Sequence, residues 1–276
     1  MRWKPYLLPA EDMSAPDVKA FLADHREGDY TLLDVRQPNE YEESHIPGSL
    51  LVPLPGLLDQ LGELDSEKPT IVYCRSGNRS RMAAQVLSGQ GFGAVFNLNG
   101  GMMAWQGLRA IGPSEVGMGF VTGQETPAEI LLVAYAMEEG LRGFYERMSS
   151  ENVDPLSSRL FDKLAVIEVR HKETVFELYR KYEPKVDNPR QLEEIVLPPV
   201  MEGGATTEEL IATSRHQLDT VRDVISMAMA IEAQGLDLYL RYSHRSEQPD
   251  TRQVLQRLAD EEKAHLALLG NLMEKF

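Results

Sequence analysis

Two kinds of hydrophobic spacing divide the chain near residue 112. Before that point short continuous apolar runs, at 30–35 and 70–73, read as buried strands. They alternate with helical segments: one that Ser14 is placed to cap and that runs through Asp24, and one from Arg79 to Leu87. Buried strands separated by helices predict a mainly parallel sheet covered on both faces, an α/β arrangement over residues 1–112. From Pro127 onward the apolar positions recur with the helical period, which predicts four helices over about 127–149, 155–182, 207–244 with a break allowed near its start, and 249–275. Residues 107–126 carry Gly107, Gly112, Pro113, Gly117, Gly119 and Gly123, and the stretch 113–126 reads as a linker. A second punctuated stretch, 183–206, contains Pro184, Pro189, Pro198, Pro199 and the Gly203-Gly204 pair. One long connection flanked by two short ones predicts an all-α four-helix bundle with a single crossover over 127–276.

Charge narrows the partners. The 276 residues include 43 acids and 28 bases, a net charge of −15, of which −4 falls before residue 112 and −11 after it. A nucleic acid or an anionic membrane surface would call for a basic patch, so neither is expected, and a small-molecule substrate fits better. The single cysteine excludes an internal disulfide and any four-cysteine metal site. Residues 1–10 lack the apolar stretch and cleavage signature of a secretory signal, and no run approaches the roughly 20 apolar residues of a membrane span. A cytoplasmic location is expected.

The cysteine needs a reason to be there. In the run from Thr70 to Ser80 a buried strand ends in Cys74, followed by the polar loop Arg75, Ser76, Gly77, Asn78, Arg79 and then a helix start. Such a layout predicts the sulfur at the mouth of a ring of backbone N–H groups, near a helix N-terminus and two guanidiniums, all of which favour the thiolate. A cysteine after an apolar strand is ordinarily inert core; the loop reverses that reading. Together with Asp34-Val35-Arg36, the stretch from Glu40 through His45-Ile46-Pro47-Gly48-Ser49, and Asn99-Gly100-Gly101 leading to Trp105, this loop resembles the rhodanese family over about residues 12–108. The resemblance implies a persulfide mechanism. Cys74 would take sulfur from thiosulfate or a low-molecular-weight persulfide and pass it to an acceptor, Arg75 and Arg79 would orient the donor, and Asp34, Arg36 and His45 would scaffold the loop. Phosphatases of the same fold place an arginine six positions after the cysteine, where this chain has Ser80.

A different chemistry is spaced along the second half. Glu138 and Tyr145 are seven residues apart, as are Glu232 and Tyr239, so each pair lies along one helical stripe. Glu168 and His171, like Glu262 and His265, form Glu-x-x-His, which aims a carboxylate and an imidazole at one point. Every member of the first set recurs 94 residues later in the second, as do Leu164 at Leu258 and Ala165 at Ala259. A lone Glu-x-x-His is ordinarily a solvated surface pair, but four coincident offsets predict two repeated helix pairs packed with their polar groups inward. A Glu from each of two helices and Glu-x-x-His from each of the others is the ligand set of ferritin-like di-iron or di-manganese bundles. Residues 127–275 resemble the erythrin domains of the rubrerythrin family. The resemblance implies Glu138, Glu168, His171, Glu232, Glu262 and His265 as ligands of two iron ions, with manganese also compatible, and peroxide or oxygen chemistry at the pair. Tyr145 and Tyr239 are either core aromatics or hydrogen-bond partners of the ligands.

The combined expectation is a sulfurtransferase joined to a non-haem di-iron centre with peroxidase or oxygen-reactive activity. Its partners would be a sulfur donor and acceptor, an external electron donor in place of the four-cysteine module of many rubrerythrins, and a second copy in a homodimer. The alternative is a sulfur carrier whose bundle is a non-catalytic metal-binding or dimerisation module. A regulatory oxidant sensor is the weaker third.

Overall fold

The alternating run pattern becomes a sheet whose two faces can be read from single-residue steps. In the computed structural model, residues 7–115, 117–118, 121–151, 154–195, 218 and 220–276 are described. The chain divides into two units, Met1–Glu115 and Val116–Phe276.

In the first unit strands β1 (Glu11–Met13), β2 (Thr31–Asp34), β3 (Leu50–Leu51), β4 (Thr70–Tyr73) and β5 (Val95–Leu98) form one sheet in the order β1-β5-β4-β2-β3. Every pairing is parallel. The two-residue period sends Leu33, Val72 and Cys74 to one face, against Ala83, Ala84 and Leu87 of helix α3 (Asn78–Gln90). It sends Leu32, Ile71 and Tyr73 to the other, against Val18 of α1 (Ala15–Asp24) and against Met102 and Trp105. Ser14 caps α1 through a reciprocal box with Asp17. Short helices α2 (Pro38–Glu43) and α4 (Gly101–Ala104) and a 3-10 helix (Leu54–Glu63) complete the unit. Burial on both faces explains why β2 and β4 have no polar side.

The second unit is built on four long helices, α5 (Pro127–Glu151), α6 (Pro155–Tyr182), α8 (Val221–Arg245) and α9 (Pro249–Met273), with a short α7 (Pro189–Ile195) in the long connection. Helices α5 and α6 pack as one pair and α8 and α9 as another, with α9 also against α5 and α6 against α8. Phe144, Tyr145, Phe161, Leu164, Ile225, Ala228 and Leu269 form a common core.

Three expectations change. The connection holds α7, started by Pro189, whose fixed φ suits a first helical turn. The third long helix starts at Val221, because Thr220 is extended and closes a capping box with Asp223; residues 207–217 lie outside the described residues. The last part of the stretch read as a linker is tied to the second unit. Tyr242 Oη donates to Gly117 O at 2.6 Å, Glu247 N to Gly123 O at 3.0 Å, and Thr251 Oγ1 to Glu125 O at 2.7 Å.

Helix α4 docks on the loop after β4. Met102 N–H donates to Cys74 O at 2.8 Å and Met103 N–H to Arg75 O at 3.0 Å. That approach needs Gly101, with φ +54°, since a Cβ there would lie 2.1 Å from Cys74 O. Gly101→Ala is therefore expected to destabilise the first unit by more than about 2 kcal/mol. Gly62→Ala, with nothing within 4 Å, should be close to neutral. Denaturant unfolding followed by tryptophan fluorescence tests this, because Trp105 packs in the core of the first unit and residues 116–276 contain no tryptophan. Equal midpoints for the two variants would refute the packing argument.

Candidate thiol site and metal centre

Strand β4 ends at Tyr73, which places Cys74 at the carboxyl edge of the parallel sheet, where ligand-binding loops gather. The loop turns back at Gly77, whose φ of +90° is left-handed and whose N–H donates to Cys74 Sγ at 3.2 Å. A Cβ on Gly77 would come within 3.0 Å of Gly100 N, so the position has room only for glycine. Ser80, in the first turn of α3, lies with its Oγ 3.4 Å from the same sulfur. Burial pushes the Cys74 thiol up; the Ser80 hydroxyl and the amides of Ser80, Ser76 and Gly77 push it down and prevail, leaving it below its ordinary value of 9.0.

The sulfur is not at the mouth of the loop. Cys74 is 1% exposed and packs on one side against Leu33, Val35, Val72 and Ala83, with the loop closing over the other. Arg75, Ser76 and Asn78 are exposed on the rim. Arg79 differs from expectation as well: its Nη1 and Nη2 donate to Glu40 Oε2 and Oε1 at 2.6 and 2.7 Å. It also faces the thiol, and the Arg79 hydrogen bonds hold the Glu40 carboxyl at about 2. A guanidinium already matched by a carboxylate is a weaker hook for an anionic donor than a free one. Arg75 makes no ion pair among the described residues, and of the two arginines it is the one open to a donor. Arg36 closes on Asp34 and reaches Ser44 O at 2.8 Å, and His45 stacks on Tyr41 at 3.6 Å. Sequence reading missed Glu40 as the partner of Arg79, Ser80 as a partner of the thiol, and Asn97 as the partner of Ser80. Glu40 is 39 positions from Arg79, and only the placing of α2 beside the loop joins them.

In the second unit the six carboxylates and imidazoles fall into two clusters, one per repeat: Glu138, Glu168 and His171, and Glu232, Glu262 and His265. Within each, one ligand atom per residue lies within 4.8 Å of the others. All are buried except His265, which is partly so. His171 Nδ1 lies 2.7 Å from Glu168 Oε2 and 3.5 Å from Glu138 Oε2. His265 Nδ1 lies 3.7 Å from Glu232 Oε2 and 3.6 Å from Glu262 Oε2. The two imidazoles stack with centroids 3.5 Å apart and planes 4° from parallel, so the clusters adjoin.

Without a cation these groups strain one another electrostatically. Burial pushes Glu168 well above the carboxylate range, opposed by His171 and reinforced by Glu138 and Glu232. His171 loses charge stability to burial, yet Glu138 and Glu168 carry it up to about 10. Glu168 Oε1 and His265 Nδ1 complete no hydrogen bond among the described residues. Buried acceptors left open on carboxylate and imidazole suit divalent cations that take oxygen and nitrogen ligands, and the residues present fit such ions. Tyr145 and Tyr239 are both buried: Tyr145 packs against Phe144 and Phe161, and Tyr239 Oη lies 3.9 Å from Met137 Sδ.

Family comparison resolves the halves separately. The rhodanese-like domain family matches residues 17–108, and the rubrerythrin family matches residues 129–218 and 223–276, over half of the chain. Among curated proteins, "Uncharacterized protein YqhL" of Bacillus subtilis (strain 168) is 42% identical over 76 residues, 28% of this chain and 60% of its own length. The match thus spans less than two thirds of that relative. "Thiosulfate sulfurtransferase GlpE" of Pseudomonas syringae pv. syringae (strain B728a) is 41% identical over 81 residues, 29% of this chain and 76% of its own. Among solved structures, a rhodanese-like domain protein from Staphylococcus aureus is 25% identical, covering 37% of this chain and 97% of that one, with a TM-score of 0.34. With repeated helix pairs carrying the two acid and histidine clusters, and a parallel sheet carrying the thiol loop, the chain belongs to the rubrerythrin family, its rubrerythrin domain preceded by a rhodanese-like domain.

Proposed function

We propose that residues 1–112 act as a sulfurtransferase through a persulfide on Cys74, and that residues 127–276 hold two iron ions in a redox centre. The observation that carries the first part is the pair of donors on the sulfur, Gly77 N–H at 3.2 Å and Ser80 Oγ at 3.4 Å. They favour the thiolate in a buried place, and the thiolate is the nucleophile. With thiosulfate as donor, the Cys74 thiolate attacks the sulfane sulfur. The donor's S–S bond breaks, sulfite leaves with the bonding pair, and a persulfide anion remains on Cys74. The amides of Ser76, Gly77 and Ser80, on the side of the loop that faces the sulfur, would then hold that anion; Arg75 would orient the donor, and Arg79, paired with Glu40, would add a weaker hold on it. A nucleophilic acceptor takes the outer sulfur and regenerates the thiolate.

In the bundle, Glu138, Glu168, His171, Glu232, Glu262 and His265 would hold the metal ions, which supply one-electron and oxygen chemistry when bound. The chain's part is to deliver a preformed, largely buried set of oxygen and nitrogen ligands from rigid helices. Tyr145 and Tyr239, seven residues beyond Glu138 and Glu232 on α5 and α8, would serve as hydrogen-bond partners of the ligands. Electrons would come from an external donor. No helix among the described residues is long and apolar enough to cross a membrane. A cytoplasmic location and a homodimer complete the proposal. The presence of only one cysteine favours a second reading, in which the bundle is a non-catalytic metal-binding or dimerisation module for a sulfur carrier.

Three outcomes are expected. After thiosulfate treatment, intact-mass measurement should show one added sulfur on the protein and none on Cys74→Ser; equal loading of the two would end the persulfide proposal. Protein purified as made should contain about two irons per chain, falling by at least half in Glu168→Ala. Unchanged metal content in that variant would remove the ligand assignment. The reduced metal centre should reoxidise with peroxide much faster than with buffer alone, and equal rates would favour the non-catalytic module.

A further inference from the structure

A chain of three side chains behind the loop ends on the sulfur. Ser80 Oγ lies 2.6 Å from Asn97 Oδ1 and 3.4 Å from Cys74 Sγ. Asn97 Nδ2 donates to Asp12 Oδ1 at 2.6 Å, and the other oxygen of Asp12 accepts from Arg81 at 2.8 Å. Ser80 and Asn97 are fully buried, while Asp12 is exposed on strand β1. These residues come together only because β5 lies between β1 and β4 in the sheet.

The orientation of the amide follows from its ends. A carboxylate only accepts, so the NH2 of Asn97 must face Asp12 and its carbonyl must face Ser80. The Ser80 hydroxyl has one proton and two acceptors, the Asn97 carbonyl and the Cys74 sulfur. The shorter contact is the one to Asn97.

We propose that Asn97, held by Asp12, is a positioning residue that draws the Ser80 hydroxyl proton toward itself and so limits how strongly Ser80 stabilises the ionised sulfur of Cys74. The inference rests on Cys74 being the working thiol. Its chemical consequence is that the sulfur stays ionisable without being over-stabilised, and a less stabilised thiolate is the stronger nucleophile. The charged groups around the loop are three ion pairs, Asp12 with Arg81, Asp34 with Arg36 and Glu40 with Arg79, together with Arg75. Tyr73 on β4 is pushed well above its ordinary value, chiefly by burial.

The test is the pH profile of alkylation of the full chain by iodoacetamide, whose rate follows the thiolate and so rises with pH through the Cys74 midpoint. In Asn97→Leu the Ser80 proton is free to serve the sulfur. The midpoint should fall by about half to one pH unit, the worth of one neutral hydrogen bond, and the limiting rate at high pH should fall with it. Asp12→Ala, at an exposed position, frees the amide to turn and should shift the midpoint in the same direction by less; it decides the matter if Asn97→Leu does not fold. Neither substitution should move the midpoint in a Ser80→Ala background. No shift, an upward shift, or a shift that survives without the Ser80 hydroxyl, as simple removal of the Asp12 charge would give, overturns the proposal. Sulfur loading from thiosulfate is scored separately: a chain that alkylates as described but takes up no sulfur removes the sulfurtransferase reading and leaves the role of Asn97 standing.

Discussion

Desolvation is the constraint on which both halves of this protein depend. Taking an ionisable group out of water costs free energy unless donors, acceptors or opposite charge replace the lost solvent. Each unit buries chemistry-bearing side chains, and each answers the cost differently. In the first, backbone amides and a hydroxyl meet the sulfur of Cys74. In the second, carboxylates and imidazoles are set against one another with acceptor positions left open.

The first answer is available because of loop geometry. Amides converge on one point only where the chain turns tightly, and the left-handed conformation at Gly77 provides that turn. Gly101 then lets α4 lock the carbonyls of Cys74 and Arg75 from the opposite side, so the ring of donors is held by the fold and not by side chains. The pairing of Arg79 with Glu40 is part of the same economy of charge. A guanidinium beside a thiol would by itself stabilise the anion strongly, and Glu40 moderates it.

The second answer is available because rigid helices fix direction. Two Glu-x-x-His segments on α6 and α9 project inward, Glu138 and Glu232 project from α5 and α8, and the stacked imidazoles show that the two repeats meet face to face. Glu168 is pushed up and His171 is carried to about 10, which reflects burial and negative charge crowded together. Divalent cations relieve that crowding directly.

Periodicity in the sequence determined the α/β and all-α halves, the four long helices and the repeat that sets the six candidate ligands in three pairs 94 positions apart. Each of these rests on local spacing, since strand alternation and helical stripes are properties of neighbouring residues. The thiol loop was legible for the same reason: Cys74 through Ser80 is contiguous. Tertiary structure alone decided that Cys74 lies beneath the loop rim, that Glu40 occupies Arg79 from 39 positions away, that Asn97 meets Ser80 across 17 positions, and that Asp12 meets Asn97 across 85. Strand order in a parallel sheet is set by how crossover helices pack, and that competition among whole elements leaves no mark on the residues that it brings together.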